Sequence, residues 1–144
     1  MITAPQYVKA ALAGLMLMLS AAPAASLPPE RAAEALHGEL AECLAFYRLL
    51  TEATARGEDE DLAIRYARIA AMTDRESRQA ARHAGLTRRE AQQRLDRIQG
   101  RMIAGIEGSF RNIGPLVDRL GDSCTDLVND PEDRLRYWLR MQSS

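Results

Sequence analysis

The chain has 144 residues, with 19 basic residues against 20 acidic ones and a formal net charge of −1. This near-neutral balance argues against wholesale binding of nucleic acid, which favours strongly basic domains. The length fits one domain beyond a targeting segment.

Residues 1–24 have the pattern of a cleavable export signal. A short segment containing Lys9 precedes an uncharged run from Ala10 to Ala22, and small residues follow it. The run is about 13 residues long, whereas a membrane span needs about 20. Removal of the signal removes the only lysine and leaves 18 arginines against 20 acidic residues, a formal charge of −2.

Cleavage is expected after Ala24, with Ser26 as the alternative site and an uncleaved signal anchor as the competing interpretation. The predicted location is the bacterial periplasm, or secretion from the cell. The predicted organisation is a signal peptide (1–24), a linker (25–29) and a helical domain (30–144).

The first predicted helix starts near Pro29, a residue that suits a first helical turn because its missing N–H has no partner there. Apolar residues then recur at spacings of three and four, which is typical of an amphipathic helix. They are Ala33, Leu36, Leu40, Cys43, Tyr47 and Leu50, with Leu44 beside them. Gly57 is expected to end the helix as a left-handed cap.

The second predicted helix begins at the acidic residues 58–61, where negative charge meets the positive end of the helix dipole. Its expected buried face consists of Leu62, Tyr66, Ile69 and Met72. The apolar pattern fades after Met72 while helix-forming residues continue to Ala84. This fading favours a protruding, solvent-facing hairpin, and Gly85 is expected to stop the helix.

The third predicted helix starts at a capping box, Thr87 to Glu90. Its apolar register runs through Ala91, Leu95, Ile98, Met102, Ile106, Phe110 and Ile113. Gly100, Gly105 and Gly108 interrupt its second half. We interpret them as points of close approach by a neighbouring helix, with a bend as the alternative.

Two further helices are predicted after the break at Gly114–Pro115. The fourth has the stripe Val117, Leu120, Cys124 and Leu127, and the short fifth begins at Asp130–Pro131. No stretch has the alternating pattern of a strand. The predicted fold is therefore all-α, an antiparallel bundle of four helices plus a short C-terminal helix.

Cys43 and Cys124 lie on the apolar stripes of the first and fourth predicted helices. Two lone cysteines in a small exported domain most often form a disulfide, so we predict one between them. A pair of free reactive thiols is the alternative. The sequence has no CxxC or Cys/His metal spacing.

Candidates for catalysis or metal binding are few. Glu34 and His37 have the i, i+3 spacing used by di-iron bundles, but Ala80 occupies the position where His83 would need a second glutamate. Because Leu36 is on the core stripe, we expect His37 to face partly outward as an ordinary surface histidine. We expect no metal, no cofactor and no enzymatic activity.

Positive charge is concentrated between Arg65 and Arg101, where ten arginines accompany four acidic residues. Helical spacing places seven of them on one flank of the second and third helices: Arg68, Arg75, Arg78, Arg82, Arg94, Arg97 and Arg101. Such a flank can hold an acidic protein, a phosphate-bearing lipid headgroup or a polyanion. The alternative is internal pairing with the acids of the second and fourth helices, namely residues 58–61, Asp118, Asp122 and Asp126.

Trp138 is the second candidate for a contact residue, because it lies among arginines in the terminal helix. Such a mixture suits a partner groove or a membrane interface. The alternative is that Trp138 and Leu139 cover the open end of the bundle.

These patterns favour a non-enzymatic periplasmic binding or accessory protein that acts through protein–protein contacts. The expected partner is an envelope or periplasmic protein, with an acidic protein as one option. Nucleic acid is not expected, and membrane contact is less favoured. The competing hypotheses are a bundle that holds a small ligand or a metal in its core, and an enzyme of unrecognised mechanism.

Overall fold

The computed structural model describes residues 27–141, which form five α-helices. They are α1 (Pro29–Arg56), α2 (Glu60–His83), α3 (Arg88–Gly105), α4 (Gly114–Asn129) and α5 (Pro131–Arg140), with a 3-10 turn at Phe110–Asn112. No strand occurs in this range, so the all-α prediction is confirmed. None of the helices between residues 27 and 141 is long and apolar enough to cross a membrane. The predicted export signal, 1–24, lies outside the described residues.

The central element of the bundle is α1, and the other four helices pack around it. Between Leu36 and Leu50, eleven of the fifteen positions are buried, and they do not form a single stripe. They are Leu36, His37, Leu40, Ala41, Cys43, Leu44, Ala45, Phe46, Tyr47, Leu49 and Leu50. A helix with neighbours on one side buries one stripe, so this pattern means that α1 is enclosed on almost all sides.

The second helix, α2, runs antiparallel to α1 and packs on it through small residues. We call these residues the small-residue seam: Ala63, Ala70, Thr73, Ser77, Ala80 and Ala81. Met72 is 42% exposed, so its predicted burial is wrong. Small side chains carry little apolar signal but let two helices approach closely. The second half of α2 is therefore packed on α1, and the expected protruding hairpin is wrong.

The turn between α1 and α2 places Glu58 in the left-handed conformation. Gly57 has φ −82°, whereas Glu58 has φ +63°. The amide of Asp59 donates to the carbonyl of Thr54 at 3.1 Å and closes the helix end. The predicted left-handed cap at Gly57 is therefore one residue early. Glu58 occupies a conformation that costs a residue with a side chain about 1 kcal/mol.

Other helix ends agree with the sequence patterns. The Asp59 side chain accepts a hydrogen bond from the amide of Leu62 at 3.1 Å, and α2 stops at Gly85, whose φ is +72°. Asp130 accepts from the amide of Asp133 at 2.9 Å and starts α5. These polar side chains satisfy amides that the first helical turns leave without partners.

The third helix, α3, ends at Gly105, well before the end of its predicted apolar register. Glu107 and Gly108 have φ values of +53° and +67°, so the chain leaves the helix there. A Cβ atom added at Gly100, Gly105 or Gly108 would meet no atom within 4 Å. The expected close helix approach at these glycines is therefore wrong, and the last two mark a helix end.

A disulfide between Cys43 and Cys124 joins α1 to α4, with their Cα atoms 5.3 Å apart. The predicted pairing is confirmed. Leu116 belongs to the buried stripe of α4, while Val117 is 38% exposed, so the prediction for Val117 is wrong by one position. The disulfide indicates an oxidising compartment.

The terminal helix, α5, packs on α1 through Leu135 and Trp138. Beyond it, the amide of Leu27 donates to the carbonyl of Met141 at 3.1 Å. The two ends of the described region therefore meet at one point.

Candidate functional site

Three of the predicted contact residues form a line along α2. Arg68, Arg75 and Arg82 are exposed, and at 100° per residue they fall within about 40° of one another, opposite the small-residue seam. None of the three forms an ion pair with another residue of the range 27–141. We call them the α2 arginine row.

Two other predicted arginines do form ion pairs. Arg78 lies 2.7 Å from Asp74, one turn earlier on α2, and Arg94 of α3 lies 2.7 Å from Glu34 of α1. The hydrogen bond from Arg94 lowers the pKa of Glu34, although partial burial opposes this effect. Arg94 therefore helps to hold α3 on α1 and is less available to a partner.

The acids expected to neutralise the arginines do not pair with them within residues 27–141. Residues 58–61 surround the start of α2, while Asp118, Asp122 and Asp126 lie on α4. No ion pair in this range includes any of these seven residues. The alternative of internal pairing is wrong for these acids. Of the seven predicted contact arginines, Arg78 and Arg94 form ion pairs within residues 27–141, with Asp74 and Glu34.

The arginines of α3 do not extend the α2 arginine row into one surface. Arg101 lines a groove of about 1010 Å³ beside α4, together with Arg111 and Arg119. Arg97 is exposed on α3. The predicted basic flank is thus divided between the row on α2 and a separate groove at the other end of α3.

Trp138 makes contacts within the bundle. Its Nε1 donates to Glu39 at 3.3 Å, and Arg134 donates to the same carboxylate at 2.7 Å through its Nε. The guanidinium of Arg134 also lies 4.4 Å from the ring centre of Tyr137, and the Glu39 carboxylate raises the pKa of Arg134. These contacts hold α5 on α1. They explain the position of Trp138 by packing within the bundle, without contact to another protein.

His37 is buried, with 2% of its surface exposed, so the expected surface histidine is wrong. The sequence pattern predicts burial only for the stripe of α1 that contains Leu36. Because α1 is enclosed on almost all sides, His37 is buried as well. His37 Nδ1 lies 3.0 Å from the backbone carbonyl of Ser77 and 3.1 Å from its hydroxyl. Because a carbonyl only accepts, Nδ1 must carry the proton, and Nε2 of the neutral ring is an acceptor.

The environment of His37 favours its neutral form. Burial lowers the pKa of His37 below its ordinary value of 6.5, and the hydrogen bond to the Ser77 carbonyl partly opposes this. Nε2 is buried and has no hydrogen-bond partner in residues 27–141. Leaving a buried acceptor unsatisfied costs about 1–3 kcal/mol, and such atoms are rare in folded proteins.

His37 lines a cavity of about 350 Å³ between α1, α2 and α3, which we call the His37 cavity. Its apolar lining consists of Leu44, Ala81, Leu86, Ala91 and Leu95. Its polar lining consists of Asp74, Ser77, Arg78, Arg82, Thr87, Arg88 and Gln92. The predicted capping box is confirmed at its edge, where Thr87 and Glu90 exchange hydrogen bonds of 2.8 and 3.2 Å.

A metal centre is not indicated around His37. Within residues 27–141 there is no group of three or more His, Cys, Asp or Glu side chains that could hold a metal ion. The Glu34 carboxylate, the nearest ligand in sequence, is bound to Arg94. The guanidinium groups of the cavity are permanently cationic, so they favour an anion there.

No sequence signal pointed to this cavity, because its lining comes from three helices and its central histidine lies outside the apolar stripe. Helical spacing identifies Arg78 and Arg82 as candidate contact residues, but it does not identify Arg88.

Comparison with known proteins finds no matching family model, no matching curated protein and no matching solved structure.

Proposed function

We propose that the chain is an exported, non-enzymatic binding protein of the bacterial periplasm, and that the α2 arginine row contacts an acidic surface on an envelope or periplasmic protein. Export is supported by the signal pattern of residues 1–24. The disulfide between Cys43 and Cys124 supports it as well, because disulfides persist in oxidising compartments.

The observation that carries the proposal is the line of exposed guanidinium groups at Arg68, Arg75 and Arg82. Each group keeps its charge at any physiological pH and offers five donors in a fixed plane. Arginine is enriched among the residues that dominate binding energy at protein interfaces. Because the row lies opposite the small-residue seam, a partner can cover it without disturbing the bundle.

Charge complementarity specifies the partner. The three arginines of the row have no ion-pair partner among residues 27–141, so their positive charge is open to solvent. Such a local field speeds the approach of an acidic surface and slows that of a basic one. The proposed partner is therefore acidic where it meets α2.

Charge reversal in the row tests the proposal. The exported chain carrying Arg68→Glu and Arg75→Glu is immobilised and incubated with periplasmic extract from the source bacterium, and retained proteins are identified by mass spectrometry. Proteins held by the parent chain should be lost from this variant, and rising salt should weaken their retention by the parent. Arg82 stays unchanged because it also lines the His37 cavity.

The matched control is Arg111→Glu with Arg119→Glu, which changes the net charge equally at the groove beside α4. This control should retain the captured proteins. Retention of the same proteins by the α2 variant would contradict the proposal. Equal loss in both variants would contradict it too, because the effect would then follow net charge and not the row.

Export has its own test. After expression in a bacterium, the periplasmic fraction should contain a chain that begins after Ala24 or after Ser26. N-terminal sequencing and intact mass establish the cleavage point. A cytoplasmic chain that retains residues 1–24 would contradict the proposed location.

A further inference from the structure

We propose that the His37 cavity binds a small organic anion that also carries a hydrogen-bond donor. The donor would reach His37 Nε2, and the anionic group would pair with Arg82 and Arg88 at the rim. The cavity lies apart from Arg68 and Arg75. The inference therefore does not rest on the proposed partner contact.

His37 creates the need for a donor. Its Nδ1 proton is committed to the Ser77 carbonyl at 3.0 Å, so Nε2 presents only a lone pair. A carboxylate or phosphate oxygen cannot satisfy that atom, whereas a hydroxyl or an N–H group can. A donor of this kind would remove the desolvation penalty of the buried acceptor.

Access to Nε2 requires side-chain movement, because the atom is closed off from solvent. The side chains that line the cavity include Arg82, Arg88 and Gln92, which are long and exposed to solvent. Side chains of this kind change rotamer within nanoseconds. A ligand that reaches Nε2 must therefore displace the side chains that cover it.

The arginines at the rim favour an anionic ligand. Three arginines and one carboxylate line the cavity, and Asp74 is already bound to Arg78 at 2.7 Å. Arg82 and Arg88 have no ion-pair partner among residues 27–141. Guanidinium groups hold carboxylates and phosphates through paired hydrogen bonds. Two unneutralised charges remain at the mouth of the cavity.

The walls and the volume define the body of the ligand. The lining includes apolar side chains, of which Leu44, Leu86 and Leu95 are the larger ones. A volume of about 350 Å³ is near the lower end of ligand pockets, which hold about 300–1,000 Å³. The cavity thus suits a molecule built on a single ring or a short aliphatic chain.

Matched aromatic acids test the proposal. The probes are 4-hydroxybenzoate and 3-(4-hydroxyphenyl)propionate, which place a hydroxyl and a carboxylate at two separations. Benzoate and 3-phenylpropionate lack the donor, and 4-hydroxybenzamide lacks the charge. Each is titrated into the oxidised chain while the imidazole nitrogens are followed by NMR.

We expect the hydroxylated acids to bind with Kd of about 1 mM or tighter, a modest affinity for ligands of this size. The Nε2 signal of His37 should shift, while the signals of the exposed His83 should stay fixed. The analogues without the hydroxyl, and the amide, should bind about tenfold more weakly, because each loses one hydrogen bond or charge contact.

Variants separate binding from folding. Arg82→Gln with Arg88→Gln should weaken binding of the acids at least about tenfold. Arg111→Gln with Arg119→Gln, an equal change of charge at the other groove, should leave the Kd unchanged. All four positions are exposed, so circular dichroism should show native helix content in both variants.

Two outcomes would overturn the proposal. One is no shift of His37 Nε2 with either hydroxylated acid at about 10 mM, far above the expected Kd. The other is equal binding of the acids with and without the hydroxyl, because His37 would then have no role. Neither outcome bears on the capture experiment, whose variants leave every residue of the His37 cavity unchanged.

Discussion

The α1–α2 pair and the α3–α4 segment are held in the molecule by different means. The first pair is packed side by side along the small-residue seam. The second segment is open, with a groove of about 1010 Å³ and with Ile103 41% exposed. It is fixed to α1 by the disulfide, by the Arg94–Glu34 ion pair and by separated apolar anchors such as Leu95 and Leu120.

The two proposed contact sites differ in the same way, because one lies on the tightly packed α1–α2 pair and the other lies where the more open α3–α4 segment begins. The α2 arginine row belongs to the tightly packed pair, so the backbone positions of its arginines are fixed before a partner arrives. The His37 cavity lies where α3 meets that pair, and two of its rim residues, Arg88 and Gln92, belong to α3. Local opening concentrates in regions with few buried contacts, so small-molecule entry should occur on the α3 side.

Removing the disulfide should have the largest effect on this contrast. Cys43→Ala with Cys124→Ala frees a loop with a sequence separation of 81 residues, for which chain entropy predicts a loss of about 4.5 kcal/mol. Amide protection should fall first in α4 and remain longest in α1 and α2. Denaturant unfolding and hydrogen exchange measure both effects. Simultaneous loss of protection in all helices would show that the two halves are one cooperative unit.

A larger side chain in the small-residue seam should destabilise the packing of α2 on α1. Ala80→Leu adds volume where only 4% of the residue is exposed, and overpacking of this kind costs about 1–3 kcal/mol. Ala71→Leu makes the same change on the exposed side of α2 and should stay within about 0.5 kcal/mol of the parent. Urea unfolding compares the two. Equal stability would mean that α1 and α2 separate without loss, contrary to the proposed tight packing.

Acid should weaken the α1–α2 pair through His37. Burial lowers the pKa of His37 in the folded chain, so the unfolded chain binds its proton more readily and the free energy of unfolding falls as pH drops below about 6.5. His37→Gln should flatten this dependence, while the exposed control His83→Gln should keep it. Thermal unfolding between about pH 5 and 8 would reveal the difference. If the His37→Gln variant lost stability more steeply than the parent as the pH fell, the proposed role of His37 would be contradicted.

The helix ends should give the smallest change. Glu58→Gly relieves a left-handed residue with φ +63° and should stabilise the chain by up to about 1 kcal/mol. Gly85→Ala makes the opposite change at φ +72° and should destabilise it by a similar amount. Differential scanning calorimetry of both variants tests the assignment. A loss of stability in Glu58→Gly would mean that the glutamate side chain outweighs its backbone strain.

Periodicity and cap residues were enough to predict the five helices, because capping chemistry is local. Thr87 with Glu90, Asp59 and Asp130 each satisfy amides within three residues of themselves. The pairing of Cys43 with Cys124 was also predictable, since both lie on apolar stripes and there are no other cysteines in the sequence. The caps depend on residues close by in the sequence, and the disulfide pairing follows from the presence of two cysteines.

The errors at His37, at Met72 and in the second half of α2 share one physical cause, which is that an apolar stripe reports burial on one side only. His37 and the small residues around Ser77 are buried because α1 has neighbours on almost all sides, and they carry no apolar signal. Met72 was placed inside for the opposite reason, since it is apolar but faces solvent. The His37 cavity could not be predicted, because it depends on how three helices meet in space.

The hydrogen bond between Leu27 and Met141 has a topological consequence. The first and last described residues meet at that point, where an amide and a carbonyl lie 3.1 Å apart. A circularly permuted chain could therefore join these ends with a short linker and open in the loop at Gly85. Its new termini would lie between α2 and α3, beside the His37 cavity, and a reporter fused there would sense movement at its rim.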